Sequence, residues 1–373
     1  MNPLAGIDSG QLLSPFSEDM RSTPQQPEWH GEGDVLSHTL MVVKALSVSG
    51  KFKTLPETDR QILLAAAYLH DIGKIRTTQE INGVIEAPRH ALTGAQMTRE
   101  YLWKDLGMCG SSEKLMAREA IVNLIRFHGL PLHVLDQQEP SLRLHRVSSI
   151  SAVDPYFSLE SLLMLARADI TGRIAADRDE LLYQIDLCEE LALEEGCLRG
   201  CYPFPDLLTR RRYLNSGEIW KDQHLHDDSW GEVILMCGLP GTGKDTWIRS
   251  HYPELPMVSL DEIRLKNKIP PTKDQGIVGN IAREQAKELL RGHQPFVWNA
   301  TNITRDMRGQ IVNLFETYGA RVRIVYLETD WKTLHERNLN REAQVPPSVI
   351  DRMLSRLSPP LPTEAHSVEW LCV

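Results

Sequence analysis

The fold of the second half turns on "EVILMCGLPGTGKDTW", residues 232–247. Its first six residues are a short apolar run, the pattern of a strand buried on both faces of a parallel sheet. The loop that follows meets the spacing G-x-x-x-x-G-K-[ST] at every position but the last. Gly238, Gly241 and Gly243 let the backbone curl until its amide N–H groups point inward. There they and a helix N-terminus hold the β- and γ-phosphates of a nucleotide. Lys244 sets a charge between those phosphates, and Thr242, Asp245 and Thr246 complete the expected nucleotide-binding loop. "FVWNA" (296–300) and "RVRIVYLE" (321–328) are two more strand-like runs, alternating with helical stretches at 278–290 and 307–317. That alternation predicts an α/β domain with a mostly parallel sheet over residues 231–373.

Upstream the pattern changes twice. Residues 196–230 carry Pro203, Pro205, the run Arg210–Arg211–Arg212 and the polar "KDQHLHDDSW", and read as a linker. Residues 1–30, rich in Pro, Ser and Gln, read as loop-like. Between them, residues 31–195 show helical periodicity and few strand signals, which predicts an all-α domain. Asp34 is placed to cap a helix carrying Val35, Leu36, Met41, Val42 and Leu46. A second helix opens at Thr58 or Asp59 and runs to His70; others span 92–106, 114–127, 159–171 and 179–194.

This helical half holds residues that an oily interior tolerates poorly. "AAAYLHDIGK" (65–74) ends an apolar helix with His70 and Asp71. His38, His90 and His128 also sit on helix faces or at helix ends, and Asp169 lies in the apolar "LMLARADITGR". Buried carboxylates need a partner, and a divalent cation is one. Imidazole and carboxylate together suit Mn, Fe, Co, Ni or Zn. Lys74 and Arg173 each stand four residues after a candidate ligand, where a shared helix face would bring them to phosphate oxygens.

The bulk numbers narrow the classes. A chain of 373 residues with 42% hydrophobic and 24% charged residues suggests two or three domains of a soluble protein. There is neither a membrane-length apolar run nor a signal sequence. Six scattered cysteines read as reduced thiols of a cytoplasmic protein, and the spacing of Cys197, Cys201, His224 and His226 fits no standard zinc finger. Of the 41 basic and 50 acidic residues, 18 and 17 fall in 231–373, so the acid excess lies in the first 230 residues. That excludes a protein that coats nucleic acid through a broad basic face. Gripping one strand end with a few arginines or cations is compatible with it.

The series His38, His70–Asp71, His90, His128, Asp169 resembles the HD phosphohydrolase superfamily, most closely the HD module of tRNA nucleotidyltransferases. The resemblance implies that His38, His70, Asp71 and Asp169 bind one metal. It also implies that His90 and His128 bind a second metal or the substrate phosphate, with Asp71 bridging. In the second half, Asp245 stands where Ser or Thr normally ligates Mg²⁺, a departure shared with adenylate-kinase-like enzymes. Asn299 stands where many relatives have Asp. "VSLDEIR" (258–264) resembles the S-x-D-x-x-R element of polynucleotide 5′-kinases, which implies Asp261 as general base and Arg264 as a substrate-phosphate ligand. "RNLNR" with the following "VPPSVI" resembles their lid, which implies that Arg337 and Arg341 close over ATP. Arg305 and Arg308 are weaker candidates for phosphate contact.

An HD module followed by such a kinase resembles the bacterial HD-Pnk family of RNA end-healing enzymes. That implies NTP-dependent phosphorylation of 5′-OH ends, with ATP or another NTP and Mg²⁺. It implies hydrolysis of 2′,3′-cyclic phosphate and 2′-phosphate ends, with one or two Mn, Co, Ni or Fe ions. The expected substrates are RNA or DNA ends, the expected functional partner an RNA ligase, and no membrane is involved. The rival expectations are an HD nucleotidase fused to a small-molecule kinase, and a non-catalytic nucleotide-binding switch with an HD sensor.

Overall fold

The computed structural model describes residues 2–269, 275–341 and 344–373. The chain forms two compact units: one of Met1–Met108 and Glu113–Tyr202, the other of Pro203–Val373 together with Cys109–Ser112.

The first unit is helical. Helix Val35–Val48 starts at Asp34, whose carboxylate accepts the Ser37 N–H at 2.9 Å, a cap contributing about 1 kcal/mol. Helix Glu57–Leu69 ends at His70, and helices His90–Lys104, Ser112–Phe127, Leu159–Thr171 and Arg178–Glu194 follow the expected spans within about two residues. Leu159–Thr171 packs against both Val35–Val48 and Arg178–Glu194, burying Leu162, Leu165, Ala166 and Ile170 completely. The strands β1 (Gln79–Ile81) and β2 (Val84–Glu86) form an antiparallel hairpin. Its Asn82–Gly83 turn has positive φ at both residues, the geometry that Asn-Gly supplies. Residues 1–30 are not loop throughout: a capping box at Asp8 opens helix Ser9–Leu13, helix Ser17–Ser22 follows, and Leu12 and Met20 are buried.

The second unit is built on a five-stranded sheet of β3 (Gly231–Cys237), β4 (Met257–Ser259), β5 (Val297–Asn299), β6 (Ala320–Glu328) and β7 (Ser367–Cys372). The strand order is β4-β5-β3-β6-β7, with every pair parallel. The apolar runs read from the sequence are its interior: Ile234, Met236, Val297, Val325 and Leu327 pack with Trp247 and Ile248 of helix Lys244–His251. Two strands carried no clear signal. β4 is three residues long, and β7 alternates buried and partly buried positions instead of running apolar. Residues 203–230, which read as linker, fold with this unit. Asp206 caps helix Leu207–Ser216, and Arg211 pairs with Glu316 at 2.7 and 3.0 Å and donates to the Thr363 carbonyl at 2.6 Å. Of the arginine run, Arg211 is thus buried in an ion pair, Arg210 donates to the His366 carbonyl at 2.7 Å and Arg212 is exposed. Because β3 is central, its carboxyl end lies beside those of β4 and β5, where parallel sheets place ligands. Among the described residues no helix is long and apolar enough to cross a membrane.

Candidate active sites

In the helical unit the six expected ligand residues converge from five segments. His38 lies in the first turn of Val35–Val48 and Asp169 in the last turn of Leu159–Thr171. His70 and Asp71 end one helix, His90 opens another and His128 follows a third. His38 Nε2 is 3.0 Å from Asp169 Oδ1 and 3.4 Å from His70 Nε2. His70 Nε2 is 3.3 Å from Asp71 Oδ2. On the other side of Asp71, His90 Nε2 is 3.5 Å from Oδ1 and 3.4 Å from His128 Nε2. Two donor groups result, His38–His70–Asp71 and Asp71–His90–His128, each with its donor atoms within 4.8 Å of one another. The close approach depends on Gly73, where a Cβ would sit 2.0 Å from the His90 carbonyl oxygen.

The outer hydrogen bonds fix which ring nitrogen points inward. The Nδ1 atoms of His70, His90 and His128 donate to the carbonyls of Ala67, Ala87 and Ile125 at 2.9, 2.9 and 2.7 Å. His38 Nδ1 lies 2.8 Å from Glu32 Oε1. The Nε2 lone pairs of His70, His90 and His128 therefore face the cluster, the arrangement metal-ligating histidines adopt, and His38 presents its Nε2 to Asp169. Among the described residues, the buried Asp71 Oδ1 has no hydrogen-bond partner. Facing imidazole lone pairs at 3.4 Å repel unless a proton or cation lies between them. Burial, with help from His90, pushes His128 down to about 4, which keeps its lone pair open at neutral pH. Burial opposes the charged form of Asp71, but Lys74 and His70 outweigh it and hold the carboxyl well below the usual range. The donor set fits one or two divalent cations.

Glu32 and His30 are residues that sequence reasoning missed, because His30 lies in the segment read as loop and Glu32 just beyond it. Glu32 is 2% exposed at its side chain, its Oε1 lies 2.9 Å from His30 Nδ1, and its Oε2 accepts the Ile174 N–H at 2.9 Å. It orients His38 from behind. Glu32→Gln is expected to weaken metal binding by about 10- to 100-fold with the helical signal unchanged. Titration with Mn²⁺ or Co²⁺ measures this; an unaltered affinity would mean that Glu32 does not position His38.

Two neighbours differ from expectation. Helix Glu57–Leu69 stops before His70, so Lys74 shares no helix face with it. Its amine instead lies 2.8 Å from Asp71 Oδ2 and donates to Gln25 Oε1 at 2.6 Å. Arg173 lies beyond the end of Leu159–Thr171 and pairs with Asp177 at 3.3 Å rather than sharing a face with Asp169.

In the second unit Gly238, Gly241 and Gly243 all have positive φ, and a Cβ at Gly238 would lie 2.4 Å from the Leu327 carbonyl. The buried Thr242 hydroxyl donates to the Leu239 carbonyl at 2.9 Å, and Asn302 donates to the Met236 carbonyl at 2.7 Å. Lys244 lies across the loop, donating to the carbonyls of Gly238 and Leu239 at 3.0 and 2.9 Å. Asp245 follows it, exposed, and its Oδ1 accepts from the Asn299 amide, while Thr246 is exposed. Ser259, not Asp261, caps helix Leu260–Lys266. Asp261 is left exposed, accepting from Arg341 Nη2 at 2.9 Å, and Arg264 stands one turn on, partly buried. Arg337 borders the loop: a Cβ at Gly243 would come within 3.2 Å of its Nη1. Arg337 and Arg341 stand four residues apart, a spacing that suits one helical face, but helix Trp331–Leu339 ends before Arg341. Arg305 is exposed. Arg308 is fully buried, paired with Glu364 at 2.7 and 3.0 Å and donating to the Asn302 carbonyl, so it braces the loop rather than meeting phosphate.

Burial pushes the Lys244 ammonium down to about 8, against the pull of the Asp245 and Asp261 carboxylates. Bound phosphates would raise it again. Above pH 8 nucleotide binding should therefore take up a proton and weaken as pH rises, by up to tenfold per unit. Calorimetry in buffers of different ionisation enthalpy detects the uptake; proton-neutral binding at pH 9 would contradict it.

Residues 35–155 match the family model of the HD domain and residues 233–360 that of an AAA domain. The chain is 28% identical over 148 residues to human heterogeneous nuclear ribonucleoprotein U-like protein 2, covering 35% of this chain and 20% of that protein. It is 22% identical over 135 residues to the L-seryl-tRNA(Sec) kinase of Methanococcus maripaludis, covering 34% and 53% respectively. The match thus spans a fifth to about half the length of these curated relatives. Among solved structures, Chaetomium thermophilum Kti12 in complex with ADP-AlF3 is similar, with 16% identity, coverage of 38% of this chain and 88% of that one, and a TM-score of 0.31. The chain is a helical HD domain followed by a P-loop kinase-like domain built on a parallel five-stranded sheet.

Proposed function

We propose that this protein is a bifunctional RNA end-healing enzyme of the HD-Pnk type, acting in the cytoplasm ahead of an RNA ligase. One observation carries the reading: a single chain holds a convergent His/Asp cluster for removing phosphate and, for adding it, a P-loop together with an exposed carboxylate, Asp261, paired with Arg341.

At the kinase site the loop amides and Lys244 hold the ATP phosphates, with Mg²⁺ as counter-ion. Asp261 accepts the proton of a polynucleotide 5′-OH as its oxygen attacks the γ-phosphorus and ADP leaves. Arg264 takes the neighbouring substrate phosphate. Arg337 and Arg341 stabilise charge on the transferring group, for which Arg341 exchanges Asp261 for phosphate oxygens. At the HD site a bound dication would lower the pKa of an attacking water and offset negative charge on the phosphate. His38, His70, Asp71 and Asp169 would hold it, and His90 and His128, with Asp71, would take a second cation or the scissile phosphate. Lys74 offsets the Asp71 charge and lies beside the phosphate position.

The test is a panel of acceptors with labelled ATP. A 5′-OH oligonucleotide should be phosphorylated in preference to nucleosides and small alcohols, and a 2′,3′-cyclic-phosphate RNA should be opened and dephosphorylated without ATP. Preference for a small alcohol would favour the nucleotidase–small-molecule-kinase reading. ATP binding without turnover of any acceptor would favour the switch.

A further inference from the structure

We infer that Asp245 is the magnesium-anchoring carboxylate of the kinase site, the acid having changed places with the amide of Asn299. The inference rests on the kinase reading above. In the motif G-x-x-x-x-G-K-[ST], the position after the lysine offers a hydroxyl to Mg²⁺, and an acid from a neighbouring strand supports the ion. Here the position after Lys244 is the acid, and the strand tip carries a neutral amide.

The two positions meet. Asn299 ends β5, is 5% exposed and stands in register with Ser259 of β4. Its Nδ2 donates to Asp245 Oδ1, and its other contact is the Met257 sulfur at 3.5 Å. Asp245 opens helix Lys244–His251 directly after the phosphate-binding lysine, and among the described residues only its Oδ1 accepts a hydrogen bond. Oδ2 is left for a hard cation or its water, with the side chain oriented from below by the amide.

Charge explains why the two changes come together. An acid at both positions would set like charges in hydrogen-bond range. A hydroxyl at 245 above Asn299 would leave the metal without a carboxylate. The pair as found keeps one acid and one neutral group, as the usual pairing does, with the acid moved from strand to helix. The oxygen donor suits Mg²⁺, which binds through one or two carboxylates plus substrate phosphates.

The test uses Mn²⁺ as probe on the full chain, with paramagnetic resonance and calorimetry reporting metal and nucleotide binding without any acceptor. Asp245→Asn should weaken Mn²⁺ binding in the presence of ATP by about tenfold or more. The double variant D245N/N299D returns an acid to the strand and should recover most of the loss. Wild-type Mn²⁺ affinity in Asp245→Asn, or a double variant no better than the single one, overturns the exchange. Absence of Mn²⁺-dependent nucleotide binding in the unaltered protein overturns the kinase reading and the inference with it.

Discussion

Asp71→Ala is expected to abolish hydrolysis of 2′,3′-cyclic phosphate ends while 5′-phosphorylation proceeds at the unaltered rate. Asp71 belongs to both donor groups: its Oδ2 faces His70 and its Oδ1 faces His90. Among the described residues His38 is shared too, with His30 and Glu32, but only Asp71 joins the two groups formed by the expected ligands. Removing an outer partner of a metal ligand typically costs 10- to 100-fold, so deletion of a ligand common to both groups should exceed about 100-fold in metal affinity and rate. The substitution also leaves Lys74, 11% exposed, without its carboxylate, and breaking a buried pair costs roughly 3–5 kcal/mol. Asp71→Asn, which keeps the volume but not the charge, separates lost metal from lost fold. It should melt closer to wild type and yet hydrolyse as poorly as the alanine variant. A folded Asp71→Ala protein without either activity would contradict two independent sites.

The converse variant, Asp261→Ala, should lose the kinase and keep the phosphoesterase. General-base contributions run from about 10²- to 10⁴-fold, and the whole of that loss should fall on kcat. Asp261 is 68% exposed at its side chain and its partner is Arg341, a surface pair contributing at most about 1 kcal/mol. Unfolding therefore cannot account for a thousandfold loss. Asp261→Asn still accepts a hydrogen bond from Arg341 but cannot take a proton. If the carboxylate is the base, the asparagine variant is as slow as alanine. If it merely parks the arginine, the asparagine variant stays active.

Much of this molecule could be read from its residues, and for physical reasons. β3 from Val233 and β6 from Ile324 to Leu327 are apolar and buried because both faces are covered there, so an unbroken apolar run exposes them. The helix starting at Val35 announces itself through Asp34, whose cap is a local hydrogen bond. The His/Asp series was legible because ionisable residues in apolar helices need a reason. What escaped depends on tertiary placement. Glu32 becomes significant only when the chain folds its carboxylate against His38 Nδ1. Arg308 reads as a surface residue until Glu364, 56 residues on, meets it in the interior. Spacing places Lys74 and Arg173 on helix faces, but Glu57–Leu69 stops before His70 and Leu159–Thr171 ends two residues before Arg173. Boundaries of that kind are set by packing rather than by local propensity. Asp245 and Asn299 read as two separate departures, and their contact makes them one.

The account depends most on the cluster in the helical domain being a metal centre. The direct measurement is titration of chelator-stripped protein with Co²⁺, followed by its visible d–d absorption and by metal content after gel filtration. The account predicts at least one tightly held Co²⁺ per chain in the wild type, recovery of cyclic-phosphate hydrolysis in step with metal uptake, and neither in Asp71→Ala. Full hydrolysis by the stripped protein, or Co²⁺ retention undiminished by Asp71→Ala, would contradict it.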